Sequence, residues 1–105
     1  MSDIIRGTTS QIVLPIEGSV PDFVALYVTF NQLGKTIIEK TLDDIIIDTT
    51  GFGGITINLT QEDTLSFSDS SDVEVQIRGK TASGDVYASD VEKISIGRIL
   101  KEGVI

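Results

Sequence analysis

Residues 73–78 alternate strictly, with Val73, Val75 and Ile77 set against Glu74, Gln76 and Arg78. Successive side chains of a β-strand point to opposite faces, so this pattern is that of a strand with one face in a core and one in water. A turn is expected at Ala82-Ser83-Gly84-Asp85, where Gly84 can take the positive φ of a tight turn. Val86, Ala88, Ile94 and Ile96 share one parity beyond it. The stretch 72–96 therefore reads as a long antiparallel hairpin, and a chain built around it is committed to β-architecture.

The remaining segments agree. Residues 8–16 read as a first strand with Ile12, Leu14 and Ile16 on one parity, and Pro15 places it at a sheet edge because proline has no ladder donor. Phe23 to Phe30 reads as a central strand, with Val24, Leu26, Val28 and Phe30 on one face. Tyr27 lies on the second face and is expected to be core-facing too. Gly34 is the expected positive-φ residue of a hairpin turn into residues 36–42. Ile45-Ile46-Ile47 is β-branched and strand-like, and residues 55–60 alternate cleanly. Between them Gly51-Phe52-Gly53-Gly54 reads as a wide glycine turn. Thr60 followed by Asp63 has the spacing of a helix capping box, which predicts one short helical turn near 61–67 with Leu65 and Phe67 plugging the core. Residues 1–6 read as a flexible lead or an edge strand. The sum is an all-β, Ig-like antiparallel β-sandwich of about seven strands, with an up-and-down barrel as the alternative closure. Its 105 residues suit a single domain, 1–105, with 97–105 as a C-terminal extension.

Composition narrows the chemistry. The chain has no cysteine and no histidine. Thiol nucleophiles, thiolate metal sites and disulfides are excluded, and the commonest general base is missing. Serine nucleophiles therefore lack a partner base, which argues against an enzyme. The net charge of −8 repels nucleic-acid phosphates and anionic lipid. Neither a signal peptide nor an apolar run long enough to span a bilayer is present, so no membrane association is expected. The acidic corner Asp43, Asp44 and Asp48 could offer oxygen ligands to a cation, but its spacing departs from calcium loops and a solvated corner is the plainer reading. Gly51-Phe52-Gly53-Gly54 lacks the lysine of a phosphate loop. No cofactor is called for.

The extension 97–105 carries Ile99, Leu100, Val104 and Ile105 with no later strand to pair with. Such residues either pack over their own sandwich or contact a neighbouring subunit, since open sheet edges invite pairing. These four are the candidate protein-contact residues.

Several stretches resemble a known group. They are I-I-R-G-T-T at 4–9, F-V-A-L-Y-V-T-F-N-Q-L-G-K at 23–35, L-T-Q-E-D-T-L at 59–65, V-E-V-Q-I-R-G-K-T-A-S-G-D-V-Y-A-S at 73–89 and I-G-R-I-L-K-E-G-V-I at 96–105. Together they look like small structural proteins of bacteriophages of Gram-positive hosts, and are similar to the N-terminal domain of phage baseplate upper proteins. Read as one domain, the chain carries neither the stalk nor the receptor-binding part of that pattern. The resemblance implies a non-enzymatic virion component of tail, baseplate or head. It would be made in the host bacterial cytoplasm and act as a homo-oligomer with itself and other phage structural proteins. The alternative is a β-sandwich module binding carbohydrate or a cell-surface polymer, for which the absence of Trp and the presence of only two Tyr are unfavourable.

Overall fold

The structure, a computed structural model, describes residues 4–15, 23–48 and 54–105. The glycine turn at 51–53, with Phe52, and residue 16 of the first expected strand lie outside them. Among the described residues there are ten strands: β1 (Ile4–Ile5), β2 (Ser10–Pro15), β3 (Phe23–Gln32), β4 (Lys35–Thr41), β5 (Ile45–Asp48), β6 (Gly54–Leu59), β7 (Val73–Thr81), β8 (Val86–Ala88), β9 (Glu92–Ile94) and β10 (Ile96–Gly97). A 3-10 turn, Leu42–Asp44, links β4 to β5, and the helix α1 (Gln61–Leu65) links β6 to β7.

The all-β fold is present. A five-stranded sheet has the order β4-β3-β7-β8, with β9 also paired to β7, and a three-stranded sheet has the order β2-β6-β5. Their inner faces meet in one core, Leu26, Val28, Phe30, Val73 and Val75 from the larger sheet against Ile45, Ile55, Ile57 and Leu59 from the smaller. Phe67 fills one end, its ring 6.0 Å from that of Phe30. All pairings within these sheets are antiparallel, but β1 and β10 form a separate parallel pair, Ile4 beside Ile96. That pair ties the start of the described chain to the strand after the long hairpin. Pro15 does end an edge strand, as its missing donor requires.

The strand count exceeds the expected seven partly because the returning arm of the hairpin is broken. Arg78 faces Ala88, whereas Val75 faces Glu92, so the register shifts by one residue across 89–91. Because side chains alternate, one extra residue reverses which parity faces the core. Val86 and Ala88 accordingly lie exposed on the outer face, while Ile94 and Ile96 are buried. The single stripe expected from the sequence is two half-stripes on opposite faces. Ser89 satisfies the bulge: its N–H donates to the Ile77 carbonyl at 2.9 Å, and its Oγ accepts from the Ile77 N–H at 3.0 Å.

A second irregularity, between Phe23 and Ala25, corrects the reading of β3. Val24 is exposed, and Phe23 turns inward instead. Its ring lies where a Cβ on Gly79 would be, 2.6 Å from the nearest ring carbon, so the strand tolerates only glycine there without displacement. Tyr27 is exposed on the outer face, not core-facing, because among the described residues no further layer covers the larger sheet on that side.

Candidate assembly surfaces

The extension is fastened to the domain at three points. Gly7, at φ 76°, is the turn between β1 and β2, and a Cβ there would sit 2.8 Å from Ile99 Cδ1. Ile99 is therefore pressed against the domain's own backbone. Next, Arg6 donates from Nη1 to Glu102 at 2.8 Å. Last, the Gln61 side chain clasps the Ile105 backbone, with Oε1 accepting from its N–H at 2.9 Å and Nε2 donating to its carbonyl at 3.2 Å. Gln61 can do this because it opens α1, a helix fixed by the expected capping box: Thr60 Oγ1 accepts from the Asp63 N–H at 3.1 Å, and the Asp63 carboxylate accepts from the Thr60 N–H at 2.9 Å.

Fastening the backbone leaves apolar side chains outside. Leu100 and Ile105 are both 89% exposed, and Val104 is 55% exposed along a shallow groove beside Thr9 and Asn58. The four residues singled out in the sequence thus divide. Ile99 packs inward, and Leu100, Val104 and Ile105 are presented on a strap held by Arg6 and Gln61. Neither Arg6 nor Gln61 carries a local signal of that role, since their partners lie 96 and 44 residues away.

A second opening lies between the sheets. Where β2 faces β9, a cleft of about 520 Å³ reaches Ile12, Ile77 and Ile94, with Gln11, Ser89 and Glu92 at its mouth. Ile4, from the β1/β10 pair, also lines this cleft.

Two ion pairs occur among the described residues, Arg6–Glu102 and Lys40–Asp63, the latter at 2.9 Å. Burial alone would raise the Asp63 carboxyl, but the hydrogen bond from Lys40, the Thr60 N–H and the Lys40 charge together hold it below the ordinary carboxylate value. Asp43 and Asp44 are exposed in the 3-10 turn, and Asp44 is engaged in capping Thr41. Among the described residues no group of three metal-ligating side chains converges. Tyr27 and Tyr87 lie on opposite faces of the larger sheet, since Tyr27 pairs with the outward Arg78 and Tyr87 with the inward Gly79. They do not form a joint aromatic platform.

Among the described residues no helix is long and apolar enough to cross a membrane. The chain matches no family model, no curated protein and no solved structure.

Proposed function

We propose that this chain is a non-enzymatic structural component of a phage virion, in the tail, baseplate or head, and works by protein–protein assembly. The observation that carries the reading is the strap. Two large aliphatic side chains, Leu100 and Ile105, stand almost wholly in water on a backbone tied down at both ends of the segment. Ordering such residues in an exposed position forfeits about 1.5–3 kcal/mol of burial each. Contact with a neighbouring subunit recovers it, and preorganisation of the strap reduces the entropic cost of that contact. The sequence likeness to baseplate-type domains supports the same class, with production in the bacterial cytoplasm and incorporation into the particle.

The test keeps Ile99 and the Arg6 and Gln61 anchors, so that the fold is spared. In Leu100→Ser/Ile105→Ser, sedimentation velocity is expected to show smaller species than the parent chain while circular dichroism stays the same. An unchanged size distribution removes the strap from assembly. The carbohydrate-binding alternative is weakened by the placement of Tyr27 and Tyr87 on opposite faces, and binding on a glycan array would revive it.

A further inference from the structure

The outer face of the five-stranded sheet carries charges that form no ion pair among the described residues. Thr41, Tyr27, Arg78 and Ala88 stand in register across β4, β3, β7 and β8, and Ala25, Lys80 and Val86 form the next row. Arg78 and Lys80 are exposed and take no part in either ion pair found among the described residues. On the opposite flank of Tyr27, the Asp44 carboxylate accepts from the Thr41 hydroxyl at 3.3 Å and from its N–H at 3.4 Å, with Asp43 exposed beside it. An exposed tyrosine thus separates two cations on one side from two carboxylates on the other. Each flank lies one strand spacing, about 4.8 Å, from β3.

We infer that this face is a two-fold contact between two copies of the chain, centred on Tyr27. A two-fold axis lying between the sheets and running along β3 turns the face over and exchanges its flanks. Arg78 and Lys80 of each copy then meet Asp44 and Asp43 of the other, so every pairing occurs twice, as an isologous contact requires. An axis across the strands would instead set Arg78 against Arg78, and like charge selects against it. The surface composition fits, because tyrosine and arginine are the residues on which interface energy concentrates. Charge also explains why the partner must be matched locally: two chains of net charge −8 repel unless cations of one are brought to carboxylates of the other. The inference rests on the reading of the chain as a self-assembling component, and adds a surface distinct from the strap.

Sedimentation equilibrium on the full chain reads the contact. Lys80→Glu and Asp43→Lys are each expected to weaken the dimer about tenfold or more, and Lys80→Glu/Asp43→Lys in one chain to restore it, because the pair is then reversed but still matched. Singles that change nothing, or a double variant that stays weak, overturn the assignment. A second readout uses the absence of cysteine. Thr29→Cys lies on the same strand and face as Tyr27, near the proposed axis, and a short bis-maleimide should bridge two copies there. Ile46→Cys, exposed on the other sheet, should not be bridged. No bridging at Thr29, or equal bridging at both, overturns the face. Association that survives the charge variants but is lost in Leu100→Ser/Ile105→Ser overturns this face and upholds the strap. A parent chain that stays monomeric at every concentration overturns both.

Discussion

The Arg6 guanidinium donates through Nε to the Phe67 carbonyl at 2.7 Å, across 61 residues of sequence. Nη2 reaches the Leu65 carbonyl at 3.2 Å and Nη1 the Glu102 carboxylate. One planar side chain therefore terminates α1, holds the residue that plugs the core, and anchors the strap. Carbonyls at the end of a helix have no partner within it, and a forked donor supplies two at once.

Arg6→Ala is expected to cost about 2–3 kcal/mol in urea unfolding, since it strands partly buried carbonyls. Arg6→Lys should recover only part of this, because an ammonium cannot reproduce the fork. Glu102→Gln, which removes only the exposed end of the network, should cost less than about 1 kcal/mol. Equal costs for Arg6→Ala and Glu102→Gln would mean that the ion pair, not the carbonyl contacts, carries the effect.

The hairpin between β3 and β4 turns on two residues of positive φ, Leu33 at 54° and Gly34 at 78°. That geometry matches the right-handed twist of the flanking strands, and it favours asparagine followed by glycine. Leucine pays about 1 kcal/mol or more to adopt it. Leu33→Asn should therefore raise stability by roughly 1 kcal/mol, a gain of about 4–8 °C in Tm for a domain of this size. Since Leu33 is also 73% exposed, little burial is lost by the exchange. A lower Tm would show that Leu33 makes a contact the isolated chain needs.

Acid should loosen the attachment of α1 to β4. The Asp63 carboxyl titrates below its unfolded value, so its contribution is in place above that value and disappears as pH falls through the folded one. Stability should decline from about pH 4 downward. Asp63→Asn should be less stable than the parent by about 1 kcal/mol at pH 7, and the gap should narrow as acid protonates the carboxylate. A gap that stays constant with pH would show that the loss does not come from the Asp63 charge.

Much of this arrangement could be read from residue order. Strict alternation located β6 and β7, the Thr60/Asp63 spacing located α1, and Gly34 and Gly84 marked two turns. The errors have a shared cause. Inserted residues at Val24 and within 89–91 carry no distinctive composition, yet each reverses the parity on which inside and outside are judged. Tyr27 reads as inward because β3 is apolar on both sides, and only the tertiary arrangement reveals that no described element covers one of them. The candidate contact residues were visible as apolar positions in 97–105. Separating Ile99 from Leu100 required knowing that Gly7 leaves space for it. The long-range partners of Arg6 and Gln61 have no local sequence correlate at all.

The bulge at 89–91 gives the sheet something like a reading frame. The extra residue there lets Val86 and Ala88 face outward while Ile94, of the same parity, faces inward; without it the ladder would run unbroken with Ile94 still opposite Val73. A deletion in the 82–85 turn could be absorbed by a shorter loop, and one at 89–91 by straightening the strand, whereas one inside β7 would turn the rest of its inner stripe to water. Chain length at 89–91 is therefore freer than within the paired strands, and single-residue deletions scanned across 73–91 should abolish folded protein inside β7 and spare it at 89–91.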